Sequence, residues 1–288
     1  MARRRYHDSA PACGRSSAAG AVPDPTHPGA AIVSQWRAAD GVEIYYETHG
    51  TVGAGAPCVL LPGLLGSVAG QWAAHVDALS ATHPVVAMDL RGHGRSGDGA
   101  GGLTLGDLAG DVAGLLDHLG VGPAHVVGYS LGGYLGILLG LRRPERVRTL
   151  FMHGTKFYWT PEAVAATLRQ LDPDAIAARV PAFAAQLAAE HGAERWPARV
   201  RAAAAFVARM DAAQLPEAEA AGLRCPVVVS VGDRDELVPV DEAARLRAAL
   251  PDAGLLVLPR VRHAFGTVRH DELVAVLRGF HRAADAAP

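Results

Sequence analysis

The stretch that decides the fold is Ala124-His125-Val126-Val127-Gly128-Tyr129-Ser130-Leu131-Gly132. An apolar, β-branched run ends in Gly-Tyr-Ser-Leu-Gly, and an apolar segment reaching Leu141 follows at once. A nucleophile on a tight strand-to-helix turn needs small residues two before and two after it, because the backbone passes close to its neighbours and a Cβ would clash. Gly128 and Gly132 stand at those places. The pattern predicts that Ser130 Oγ is presented at the C-terminal edge of a sheet, with the Leu131 N–H aimed at a developing oxyanion.

On either side of this turn, short apolar runs alternate with helix-period segments, the signature of βα units feeding a mostly parallel, buried sheet. The runs are 58–61, 84–90, 124–128, 147–152, 226–231 and 255–258, and two more, 32–37 and 42–48, flank the hairpin signal Asp40-Gly41. The helical period is clearest over 105–119, where Leu105, Leu108, Val112, Leu115, Leu116 and Leu119 recur at spacings of three and four. Thr104 with Asp107 reads as its capping box and Gly120 as its stop.

Residues 156–222 break the alternation: they hold no strand-like run, several proline-punctuated segments, and about one alanine in three. Alanine is the best helix former, so this stretch is predicted to be an inserted helical lid between core segments 32–155 and 223–288. With few large side chains to anchor it, the lid is expected to be loosely packed. Residues 1–31, rich in Ala, Gly, Pro and Ser without period, read as a disordered extension.

The motifs together resemble the α/β-hydrolase superfamily over about residues 34–284. They are the Ser130 turn, Leu61-Pro62-Gly63-Leu64-Leu65-Gly66-Ser67, Asp89-Leu90-Arg91-Gly92-His93-Gly94-Arg95-Ser96, Arg143-Pro144-Glu145-Arg146-Val147, and Gly232-Asp233-Arg234-Asp235-Glu236-Leu237-Val238-Pro239. The resemblance implies an eight-stranded α/β sheet flanked by helices and the chain order serine, acid, histidine. It puts Asp235 at the acid position, with Asp233 as the alternative, and His263 at the base. Where the family usually has His-Gly this chain has Pro62-Gly63, so the second oxyanion donor would be the Leu64 N–H. Arg262 stands where the family often has glycine. Serine at the turn argues against the haloalkane dehalogenase and epoxide hydrolase branches, which use aspartate there.

Composition narrows the function classes. The chain has 288 residues, 50% hydrophobic and 19% charged, with a formal net charge of −2, which leaves no basic surface for nucleic acid or anionic membrane. A small molecule is the expected partner. The apolar stretch from Gly133 to Leu141 is far short of the ~20 residues a membrane span needs. Arg3, Arg4 and Arg5 precede no apolar segment of the kind an export signal requires, and the three cysteines Cys13, Cys58 and Cys225 fit reduced thiols, so a cytoplasmic location is expected. No local Cys or His spacing resembles a metal ligand set, and the glycines at 97–102 lack a dinucleotide fingerprint, so neither metal nor cofactor is expected.

The expected activity is a cofactor-independent serine hydrolase cleaving a small or medium apolar ester, thioester or lactone through an acyl-enzyme. The same residues could also serve C–C bond hydrolysis, a lyase or cyclase reaction, perhydrolysis, or a non-catalytic ligand receptor. Trp72, Tyr129, Lys156, Phe157 and Trp159 are candidate substrate contacts, with Phe183, Trp196, Phe206 and Met210 as further lining; Lys156 is the chain's single lysine. His93 is expected to stabilise its loop, and His125 and His153 to lie in the core or at its rim.

Overall fold

The computed structural model describes residues 32–51 and 55–287. The expected extension at 1–31 lies outside them, as does Cys13. Every apolar run becomes a strand: β1 (Ile32–Arg37), β2 (Glu43–His49), β3 (Cys58–Leu61), β4 (Val85–Met88), β5 (Ala124–Tyr129), β6 (Val147–His153), β7 (Val227–Gly232) and β8 (Ala253–Leu258). They form one eight-stranded sheet in the order β1-β2-β4-β3-β5-β6-β7-β8, antiparallel at β1/β2 and β2/β4 and parallel elsewhere. The central strands β3, β4 and β5 are buried along their whole length, which is why they read as continuous apolar runs rather than alternating ones. The 84–90 run ends early as a strand, because Asp89 turns its carboxylate to loop donors and accepts from Val68 N–H at 2.7 Å and Arg95 N–H at 2.8 Å.

Helices cover both faces. In chain order they are α1 (Ala73–Ser80), α2 (Leu105–His118), α3 (Leu131–Arg142), α4 (Pro161–Leu168), α5 (Pro173–Arg179), α6 (Pro181–His191), α7 (Trp196–Val207), α8 (Met210–Ala213), α9 (Glu217–Ala220), α10 (Val240–Ala249) and α11 (His270–Asp285). One core layer joins the sheet to α2, α3 and α10, and the other joins it to α1 and α11. The cap of α2 is as expected: Thr104 Oγ1 accepts from Asp107 N–H, and Gly120, at φ +61°, ends the segment in a conformation that favours glycine. Among the described residues, no helix is long and apolar enough to cross a membrane.

The strand order reverses about β3: β4 lies on one side of it and β5 on the other. In a parallel sheet the loops leaving the C-terminal ends of such neighbours diverge and open a crevice, where ligands bind. Here those loops carry Leu64 and Ser130.

The segment 156–222 is helical, α4 to α9, but its attachment differs from the loose packing expected of so alanine-rich a stretch. Phe206, Val207 and Met210 are buried in the main core, and Ile176, Leu187, Val200 and Ala203 form a small core with Leu65. Polar anchors supply the rest. Arg199 on α7 is buried and donates to Gly94 O and Ser96 O, both at 2.7 Å, while its Nε meets Asp98 Oδ1 at 3.1 Å. Fully buried His191 on α6 accepts from Gly94 N–H through Nδ1 at 2.8 Å, which leaves Nε2–H to donate to Leu65 O at 3.0 Å. Backbone-directed bonds of this kind hold a helix without bulky side chains.

Two expectations follow. Arg199→Ala strands two buried carbonyl oxygens and is expected to cost about 3 kcal/mol, read as a lower urea midpoint at unchanged m; a shift worth less than about 0.5 kcal/mol would contradict the anchoring role. The second concerns acid. Burial pushes the imidazoles of His75, His93, His125 and His153 down to about 4 from an ordinary 6.5. Between those values the unfolded chain binds protons that the folded one does not, so stability falls as pH falls from 6.5 towards 4, by about 1.4 kcal/mol per pH unit for each imidazole. Urea midpoints at pH 7.5 and 5.5 check this, and equal midpoints would refute it.

Candidate active site

Ser130 sits between β5 and α3 with φ +50° and ψ −113°, a conformation a non-glycine residue adopts only when its surroundings force it. The surroundings are glycines. A Cβ at Gly128 would lie 2.3 Å from Gly132 C and Gly133 N, and one at Gly132 would lie 2.2 Å from Leu61 O. The strand, the helix and the neighbouring strand end are thus in backbone contact around the serine. Ser130 N–H donates to His153 O at 2.8 Å, and Thr155 Oγ1 donates to Ser130 O at 3.2 Å, so the turn is held from β6 as well.

His263 lies on the loop after β8, with Nε2 3.3 Å from Ser130 Oγ. Its Nδ1 is 2.9 Å from Asp235 Oδ2 and 3.1 Å from Oδ1. Asp235 has a fully buried side chain in the turn after β7, where Oδ1 also accepts from Leu237 N–H at 2.9 Å and Val238 N–H at 2.8 Å. Burial by itself raises its carboxyl, but the bond to His263, that imidazole's charge and the two backbone donors together take it below the ordinary 3.8. Asp233, the alternative acid, is exposed, and its N–H is bonded to Leu258 O. It is thus Asp235, the aspartate that the resemblance favoured over Asp233, whose carboxylate faces His263.

The His263 backbone is pinned on both sides: its N–H donates to Glu236 Oε2 at 3.2 Å, and its carbonyl accepts from Tyr129 OH at 2.6 Å. Tyr129 is buried, and its ring packs on those of His263 and Phe265, so it positions the histidine loop while forming part of the cavity wall. Leu131, as the first residue of α3, has an N–H with no helical partner. The loop bearing Leu64 is fixed by Gly66 N–H to Gly63 O at 3.0 Å and by Gly63 N–H to Gln71 Oε1 at 2.9 Å. The same loop reaches the helical insertion through Leu65 and through Ser67, whose hydroxyl donates to Glu190 Oε2 at 2.6 Å.

These groups open onto a cavity of about 530 Å³. Its floor is Ser130, His263, Leu64 and Leu131; its far wall comes from the insertion, with Phe183, Phe206 and Met210 among the apolar contributors and Gln170 and Gln186 among the polar ones. Trp159 and Lys156 also line it, but Lys156 is ion-paired with Glu242 at 2.5 Å, so it brings no free charge to the site. Three expected contacts are placed elsewhere. Trp72 is buried in the α1/α11 layer, its ring edge-on to Phe265 at 4.9 Å between centroids; Phe157 is buried against Tyr134; and Trp196 packs on the insertion's own small core. Trp72 and Phe157 are fully buried there, and Trp196 is partly buried. Gln71, Thr155 and Glu236 are the positioning residues that sequence reading missed; no local pattern marks them. His93 holds its loop as expected, with Nδ1 2.8 Å from Arg91 O, and Cys58 and Cys225 are buried free thiols.

A hydroxyl in reach of an imidazole whose other nitrogen faces a buried carboxylate can give up its proton as it attacks a carbonyl, and two N–H groups beside it can receive the charge that develops. Comparison with known proteins agrees with that capacity. The family model described as alpha/beta hydrolase fold matches residues 57–223, and the dienelactone hydrolase family model matches residues 182–287. The protein of Azorhizobium caulinodans named "Putative carbamate hydrolase RutD" is 31% identical over 266 residues, covering 83% of this chain and 94% of its own. Two solved structures, the enol-lactonase of Burkholderia xenovorans LB400 (TM-score 0.69) and Est816, described as an N-acyl homoserine lactone degrading enzyme (TM-score 0.68), are each 28% identical and cover 84% of this chain and 98% of their own. The chain belongs to the α/β-hydrolase superfamily, and it is a hydrolase.

Because Gly132 has backbone atoms where a methyl would go, Gly132→Ala is expected to cost about 2 kcal/mol and to displace Ser130. Thermal melting together with the labelling rate of Ser130 by a fluorophosphonate checks it; unchanged values for both would mean the turn tolerates a Cβ.

Proposed function

We propose that this hydrolase uses Ser130 as nucleophile on a small or medium apolar carboxylic ester, thioester or lactone. The observation that carries the reading is the alignment of Ser130 Oγ, His263 and buried Asp235 at the floor of a largely apolar cavity. In this mechanism His263 Nε2 takes the Ser130 proton as Oγ attacks the carbonyl carbon. Asp235 holds the Nδ1–H tautomer and offsets the imidazolium charge. The N–H groups of Leu64 and Leu131 receive the oxyanion. His263 then returns the proton to the leaving oxygen or sulfur, and the acyl group stays on Ser130. Water, deprotonated by His263, releases the acid and restores the serine. The 3.3 Å separation of Ser130 and His263 suits a free enzyme, whose catalytic hydrogen bonds tighten when substrate arrives. The helices α4 to α8 act here as a lid whose inner face selects the acyl group.

Similarity to an enol-lactonase and to a lactone-degrading enzyme supports lactones within this class. The relative named for carbamate hydrolysis, similar over most of both chains, favours carbamates as a second reading, since the same attack on a carbonyl carbon would serve.

Incubation with a fluorophosphonate should place one adduct on Ser130 by peptide mass spectrometry, and Ser130→Ala should lower ester turnover by about 10⁴-fold or more, as loss of a triad member does. No adduct on Ser130, or a fall of only a few fold, would mean that the nucleophile is another group. A panel of p-nitrophenyl esters, lactones, thioesters and carbamates ranked by kcat/KM then distinguishes the substrate readings. An adduct without turnover of any of them would move the assignment to C–C bond cleavage, a lyase or a receptor.

A further inference from the structure

The N-terminal end of the sheet, the end away from Ser130, carries a second cluster of titratable groups. His83 stands in the turn before β4, His125 is the second residue of β5, and Asp285 is the last residue of α11. One donor atom from each lies within 4.8 Å of the others. His83 Nε2 is 3.0 Å from Asp285 Oδ2, and His125 Nε2 is 3.3 Å from Oδ1.

The protons argue for a cation at this place. The Thr82 hydroxyl donates to Leu79 O at 3.2 Å, so towards His83 Nδ1, 3.0 Å away, it is an acceptor. His83 Nδ1 then holds a proton, and Nε2 is the atom turned to a carboxylate oxygen, where a lone pair is repelled unless something positive lies between them. His125 also turns Nε2 towards Asp285, at 3.3 Å, with its Nδ1 2.9 Å from Thr149 Oγ1. A hydroxyl on the far nitrogen of each imidazole is the outer-shell arrangement that orients histidine ligands. Buried His281 stacks on His125 at 4.3 Å and meets His83 edge-on at 5.3 Å, which fixes both ring planes. Arg148 Nε lies 2.7 Å from Asp285 Oδ1 and draws on that oxygen, leaving Oδ2 for an ion. A pocket bounded by Thr82, Pro84 and Arg148 gives access from solvent.

We propose that His83, His125 and Asp285 form a binding site for one divalent transition-metal ion. Two imidazole nitrogens and one carboxylate oxygen suit Zn²⁺, with water from the pocket completing a tetrahedral set. The ion is structural. It ties the C-terminal end of α11 to the turn before β4 and to the start of β5, and the length of β5 separates it from Ser130. The sequence expectation of no metal rests on local spacing, and here the histidines stand 202 and 160 residues from Asp285. Only the fold brings the three together.

Zinc titration by calorimetry tests this on the full chain, prepared without a polyhistidine tag, stripped with EDTA and dialysed at pH 7.5. One saturable equivalent is expected, with a rise in melting temperature on saturation. His83→Ala, at the rim of the site, is expected to weaken binding by more than about 100-fold, and Thr82→Val, which removes only the outer-shell hydroxyl, by about 10- to 100-fold. Absence of saturable binding to the wild-type chain would overturn the site and leave a protonated His83 as the cation that Asp285 holds. Wild-type affinity in His83→Ala would overturn it equally, by sending the ion to other histidines, and wild-type affinity in Thr82→Val would overturn the proton assignment on which it rests.

Discussion

The constraint on which the rest depends is the approach of three backbone segments around Ser130. The end of β5, the first turn of α3 and the end of β3 touch through main-chain atoms, which is possible only because Gly128 and Gly132 have no side chains. That contact throws Ser130 into a left-handed conformation and sets its Oγ above the sheet. It also fixes where the other parts must stand: Asp235 and His263 come from loops at the same sheet edge, two and three strands away respectively in the order β5-β6-β7-β8. The strain of one residue is thus borne by the most buried part of the molecule, where β3 and β5 pack and nothing can give.

The sheet was legible because parallel strands are buried on both faces and write themselves as apolar runs; 58–61 and 124–128 needed no further help. The serine was legible for the same reason that its geometry is possible, since glycines at fixed offsets are a steric requirement visible as letters. The acid was only half legible. Family resemblance favoured Asp235 and kept Asp233 as the alternative, and what separates them in the structure is that one turns inward to Leu237 N–H, Val238 N–H and His263 while the other faces solvent.

Side-chain direction was the part that sequence could not supply. Trp72 and Phe157 looked like pocket residues because they neighbour the site along the chain, yet each turns to a core layer. The anchors of the helical insertion were hidden for another reason. In a chain where nearly every basic residue is arginine, Arg199 carries no distinguishing mark, and its worth lies in meeting two carbonyls more than a hundred residues away in sequence. Alanine-rich helices therefore appear unanchored on paper and are held in three dimensions by a few buried polar side chains.

The loop Leu64–Ser67 touches both halves of the cavity. Its backbone stands beside Ser130, and its Leu65 carbonyl and Ser67 hydroxyl are tied to His191 and Glu190 of α6. Selectivity and turnover are consequently not separable design variables in this molecule. A change in α6 that admits a larger substrate pulls on the same few atoms that stand beside Ser130, so variants with widened substrate range will tend to pay in rate unless His191 and Glu190 keep their partners. Diversification is freest in α4 and α8, which line the cavity through Thr167 and Met210 without holding that loop.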